Sequence, residues 1–314
     1  ESPEHVMLLD AKAIAMRADG DAAGAEKLLR EAMALQDRVV ASGGSAMMEM
    51  TNDLALALND LGRYREAADL LRESDRHMLG AGIDGAPDRA VSHSNLAAVL
   101  ENAGDYAGAL AEIRLARDVL DAGRIDADHA IRRQIERNEA RSLAFAGESA
   151  RAFAQLTELR ARAAKLDGED SGEYASVTWQ LVVVARLMHK PDAGLPLLAD
   201  AEKRWHALAP EGHPIFLHVR RVRASFALDQ GDLATAEREL RAAVAGFESG
   251  GALPVDLAIA EAELAAVLAR QGAKTEAREL LTRAMPALRE SLLPAQVNRA
   301  VAEQTLAALG AKAG

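Results

Sequence analysis

The chain contains no cysteine. Disulfide frameworks, thiolate nucleophiles and cysteine-bearing metal clusters are therefore excluded. Aromatic residues make up only 3% of the 314 residues, so β-strands, which draw on aromatic and β-branched side chains, have little to build with. The longest strongly apolar run, about Leu181 to Ala185, falls far short of the roughly 20 residues that span a bilayer. Basic residues are outnumbered, 37 against 48, for a net charge of -11. Such a charge repels nucleic acid and anionic membrane at long range, so neither a nucleic-acid partner nor direct membrane insertion is expected.

Catalytic signatures are missing too. There is no Gly-x-Ser-x-Gly elbow and no P-loop, which leaves hydrolysis and phosphoryl transfer without an anchor. The eight histidines (His5, His77, His93, His129, His189, His206, His213 and His218) contain no i, i+4 pair, and zinc needs several convergent ligands. The acidic stretches around Asp126 and Asp128 and around Glu169, Asp170 and Glu173 lack calcium-loop spacing and read as solvated connectors. Gly80 to Gly85 spells the dinucleotide fingerprint G-x-G-x-x-G, but it follows a helical pattern where the fingerprint requires a strand. No catalytic residue, metal or cofactor is expected.

What is present is alanine, leucine, arginine and glutamate in quantity, all strong helix formers, together with a regular landmark. Gly20, Gly62, Gly104, Gly147, His189, Gly231 and Gly272 follow one another at steps of 42, 42, 43, 42, 42 and 41 residues. A period of this size marks stacked supersecondary units. Each landmark lies between two amphipathic runs: Leu54, Leu58 and Leu61 precede Gly62 on one stripe, and Ala67, Ala68, Leu70 and Leu71 follow it. The glycine is placed to end one helix in a left-handed conformation, and Asp21, Asp105 and Asp232 are placed to cap the next.

Measured from the landmark, the same residue types recur. Five positions on stand Ala25, Ala67, Ala109, Ala152, Gly194, Ala236 and Ala277; nine on stand Leu29, Leu71, Ile113, Leu156, Leu198, Leu240 and Leu281. Twelve on, Ala32, Ser74, Ala116, Ala201, Ala243 and Ala284 are again small. Small residues let helices approach and the aliphatic one fills the space left. The fold expected is all-α, one array of seven antiparallel hairpins over residues 5–41, 47–80, 89–122, 132–166, 174–208, 216–249 and 257–291, closed by a capping helix over 295–309. Pro196 predicts a second helix in repeat five that starts late, near Leu195, or is kinked. Pro286 raises the same prospect in the last hairpin.

Asn95 to Leu100 leading into Ala103-Gly104-Asp105-Tyr106-Ala107-Gly108-Ala109-Leu110, with Leu61-Gly62-Arg63-Tyr64 nearly as good a copy, resembles the tetratricopeptide repeat family along the whole chain. The 42-residue period and Glu211-Gly212-His213-Pro214, more distantly Asp126-Ala127-Asp128-His129, are similar to the kinesin-light-chain type. The resemblance implies a right-handed superhelical solenoid whose inner face is lined by the first helix of each hairpin. It also implies a bacterial setting, since such arrays are carried as C-terminal regions of serine/threonine kinases or transcription regulators. The opening Glu1-Ser2-Pro3, without an initiator methionine, suggests a piece of something longer or processed.

Aligned by the landmark, the implied inner face carries Asn52, Asn59, Ser94, Arg133, Arg137, Arg141, Trp179, Arg186 and Arg221. Arginines around an indole suit an acidic peptide or a free C-terminal carboxylate, because guanidinium grips carboxylate bidentately while the ring covers an apolar side chain. Against this, Glu136 and Glu139 stand where they would pair with the arginines, and Trp179 would serve equally as core. The function expected is a non-enzymatic scaffold binding a protein or peptide segment; the alternative is a sensory or substrate-recruiting region of a larger bacterial kinase or regulator. An apolar flank on a terminal hairpin would allow self-association. The compartment stays open, the cytoplasm being preferred to the periplasm.

Overall fold

The computed structural model describes residues 2–39, 45–80, 87–250 and 254–310. The stretches between the first and second, the second and third, and the sixth and seventh expected hairpins lie partly outside them, as does most of the Gly80 to Gly85 motif. Among the described residues there are fifteen α-helices and no strand. They form hairpins of a first (A) and second (B) helix: α1 (Pro3–Ala18) and α2 (Ala22–Val39), α3 (Ser45–Asp60) and α4 (Tyr64–Gly80), α5 (Pro87–Ala103) and α6 (Tyr106–Ala122), α7 (Ala130–Phe145) and α8 (Ser149–Leu166), α9 (Gly172–Leu187) and α10 (Pro191–Leu208), α11 (Ile215–Asp229) and α12 (Leu233–Ser249), α13 (Pro254–Gln271) and α14 (Lys274–Ser291). A last helix, α15 (Val297–Ala308), packs on α13 and α14. No described helix is long and apolar enough to cross a membrane. The contacts gather into two compact units, one of Glu1–Ala103 with Ala107–Asn138, the other of Gly104–Tyr106 with Glu139–Gly314.

The landmark is a backbone device. Gly20, Gly62, Gly104, Gly147, Gly231 and Gly272 all have positive φ, and His189, which replaces the glycine in the fifth repeat, is held at φ 52 as well. Around it the chain closes the A helix in a Schellman arrangement. In the sixth repeat, for example, Gly231 N–H donates to Leu228 O at 3.1 Å and Asp232 N–H to Ala227 O at 2.8 Å; His189 and Lys190 repeat this with Arg186 and Ala185, each at 3.0 Å. The last carbonyls of the helix are satisfied that way. Asp21 and Asp232 then cap the B helices, accepting from Gly24 and Thr235 N–H at 2.8 and 2.9 Å.

Every residue five, nine and twelve positions beyond a landmark is buried. The tightest of these contacts is in the fifth repeat: a Cβ on Gly194 would lie 2.1 Å from the Phe226 ring, so the largest core side chain of α11 is seated against a bare backbone on α10. The expected late start of that B helix is corrected. Pro191 occupies the first turn, where no N–H is needed, and α10 runs from there through Pro196 to Leu208; α14 likewise runs through Pro286.

The face each A helix turns to the preceding B helix is buried along the chain. Twelve positions before the landmark, Met50, Ser92, Ile135, Val177, Val219 and Ala260 are all buried, whereas their equivalent on α1, Leu8, is 66% exposed. Met7 and Ile14 share that outer surface of α1. At the other end Gln296 caps α15 through its side chain, accepting from Asn298 N–H at 2.7 Å.

Candidate functional site

In the first unit the A helices are joined by a polar ladder. Asn95 Nδ2 donates to Asn52 Oδ1 at 3.5 Å, Asn138 Nδ2 to Ser94 Oγ at 2.9 Å, and Asn102 Nδ2 to Asn59 Oδ1 at 2.9 Å. A common register underlies these bonds. The residue ten before one landmark meets the residue nine before the next, and the residue three before one meets the residue two before the next. Arg17 and Asp60, joined at 3.4 Å, obey the second rule. Asn52, Asn59 and Ser94 therefore lie on one ladder, but their partners Asn95, Asn102 and Asn138 are offset by one position, which direct alignment of the repeats passes over. Ser94 is fully buried beneath Asn138.

Arg133, Arg137 and Arg141 follow at four-residue steps on α7, one stripe of that helix. Arg133 is buried, and Arg137 and Arg141 are half-buried; the first two belong to the first unit and Arg141 to the second.

In the second unit the ladder turns ionic. Arg221 donates bidentately to Glu263, Nε to Oε2 at 2.8 Å and Nη2 to Oε1 at 2.9 Å, again ten and nine before successive landmarks. Its Nη1 donates to His218 Nδ1 at 3.2 Å. Burial pushes the His218 imidazole below its ordinary value, with Asp256, 3.9 Å away, pulling the other way. Trp179, in the same position as Arg221 one repeat earlier, is half-buried and packs against the cluster of Val182, Ala185, Leu198, Val219, Val222 and Phe226. Part of its ring is core, as the alternative reading of the sequence has it.

Arg186 stands two turns along α9 from Trp179, on the same side of the helix. It is half-buried, and its guanidinium forms no hydrogen bond or ion pair among the described residues. Burial lowers its pKa, while Glu263 and Asp229 raise it and Arg221 lowers it further. By the register rule its partner should be Asp229. That carboxylate instead accepts from His189 Nδ1 at 2.8 Å. Glu263 and Asp229 are identified only by the offset register, and His218, outside that register, by its contact with Arg221.

Residues 48–74 match the tetratricopeptide repeat family model. No curated protein matches the chain in sequence. Among solved structures, the Rap conjugation gene regulator of plasmid pLS20 in complex with the Phr* peptide is similar at a TM-score of 0.70 and 11% identity, over 91% of this chain and 74% of that one. A Rap protein complexed with competence and sporulation factor is similar at 0.66 and 13%, over 92% and 77%. A tetratricopeptide repeat protein from Parabacteroides merdae ATCC 43184 is similar at 0.50 and 13%, over 96% and 99%. At these identities the likeness is one of fold. The chain carries a tetratricopeptide repeat and has the all-helical fold of such repeat proteins.

Proposed function

We propose that the protein is a non-enzymatic scaffold that holds a protein or peptide segment on its A-helix faces, with an acidic group of the partner at Arg186. The observation that carries this reading is a half-buried guanidinium without hydrogen bond or ion pair among the described residues, on the same side of α9 as the half-buried Trp179. A charge in that setting is costly unless an anion accompanies it, and a carboxylate satisfies the planar fork in two bonds. Tetratricopeptide repeat proteins are in general scaffolds, and the similar Rap proteins are seen with the Phr* peptide or with competence and sporulation factor bound; both favour a protein or peptide ligand. Arg221, already engaged by Glu263, orders the neighbourhood of the anion and contributes less to gripping it. A role as the recruiting region of a larger kinase or regulator would use the same face.

The test is a peptide array with free and amidated C termini and with Glu-to-Gln pairs, probed with the parent chain and with Arg186→Glu. Acidic peptides are expected to lose at least tenfold in binding on Arg186→Glu while the far-UV circular dichroism is unchanged. Equal binding by the two chains would remove Arg186 from the site.

A further inference from the structure

The register of the ladder says which contact should exist at Arg186 and is missing. Three before one landmark and two before the next, Arg17 meets Asp60 and Asn59 meets Asn102. Arg186 and Asp229 occupy the same two positions around His189 and Gly231, with an arginine and an aspartate as in the first of those pairs. The step differs in one respect from the other two: its landmark is a histidine. A glycine landmark brings no side chain to the helix end. His189 brings an imidazole into the same left-handed turn, and its Nδ1 holds Asp229 Oδ1 at 2.8 Å. Asp229 is thereby engaged outside the ladder, and Arg186 is left with only the through-space attraction of Asp229 and of Glu263, whose two oxygens Arg221 already holds.

We infer that His189 is a positioning residue that keeps Arg186 open to an external anion by withholding Asp229 from it. The substitution of the landmark and the vacancy of the cation are then one feature. A glycine at 189 would satisfy the backbone equally and let Asp229 close onto Arg186, as Asp60 does onto Arg17. The side chain of His189 is 77% exposed, so its hold on Asp229 is of surface strength. The arrangement is accordingly easy to tip: a competing donor for Asp229, or loss of the imidazole, converts an anion-accepting face into a self-paired one. The reading rests on the proposed role of Arg186 in partner binding, but its test does not.

Phenylglyoxal modifies accessible guanidinium groups, and the rate at Arg186 can be followed by peptide mass spectrometry on the whole chain with no partner present. His189→Gly is expected to slow modification of Arg186 at least threefold, and His189→Gly with Asp229→Ala to restore the parent rate. His189→Asn, which keeps a donor in a conformation asparagine tolerates, should stay near the parent. An unchanged rate in His189→Gly overturns the inference, and so does a slowed rate that Asp229→Ala fails to restore. Because these rates are read without peptide, failure of the peptide array and failure of this device are distinguishable.

Discussion

Asp53 is the clearest case of a single residue working against the fold. Burial, with the charges of Asp10 and Glu49 added and only Arg17 opposing, pushes its carboxyl up to about 6; burial and Glu49 raise Asp10 as well. A raised carboxyl pKa means the folded chain holds a proton that the unfolded chain releases, so stability falls as pH rises from about 4 through 6 and stays lower above. Asp53→Asn should raise the Tm by about 2 °C at pH 8, on the order of 1 kcal/mol after solvent screening. Near pH 5 the gain should shrink towards nothing, which differential scanning calorimetry at the two pH values would show. The landmark supplies a second pair. Gly231→Ala forces a Cβ into a left-handed turn at a cost of roughly 1–2 kcal/mol, whereas His189→Gly relieves that strain; the two variants should move the Tm in opposite directions in the same melting experiment.

At the scale of the helix, close approach is the recurring device, and Gly194 is its sharpest instance. Adding a methyl there drives Cβ into Phe226, and overpacking of this kind costs roughly 1–3 kcal/mol, well beyond the gain in helix propensity. Gly194→Ala should lower the denaturant midpoint without changing the slope. Phe226→Leu in that background should recover part of the loss, since it vacates the space the methyl needs. The turn, the caps at Asp21 and Asp232, and the small and aliphatic residues five, nine and twelve positions on are legible in the sequence because they repeat at fixed distance from the landmark. The register between successive A helices is not. The partners of Asn52, Ser94 and Arg221 are displaced by one residue from where alignment of repeats places them, because neighbouring A helices meet with a stagger that no single hairpin encodes. Arg133 reads as a groove residue by its spacing and is buried, and Asp229 attracts no notice until its engagement with His189 is seen. At the start of α10, Pro191 in the first turn outweighs Pro196, whose position in the sequence points to a later start.

For the molecule as a whole, repetition makes equivalent positions comparable experiments. Leu8 and Val219 have the same place in their repeats, one 66% exposed and the other buried. A charge at Val219 must be accommodated in the core and should leave Val219→Glu largely unfolded or insoluble. Leu8→Glu should keep the parent Tm within about 1 °C, with solubility equal or better. Both outcomes are read by thermal denaturation of the purified chains.

The ladder along the A helices also sets a metric for whatever lies against it. Packed helices stand about 8–10 Å apart, and an extended polypeptide advances about 3.3 Å per residue. A segment laid across these helices within one unit therefore passes about three of its residues for each repeat it crosses. Its contacts with successive repeats would fall on every third side chain, out of step with the two-residue alternation of a strand. A partner sequence should thus be searched for anchors spaced by three.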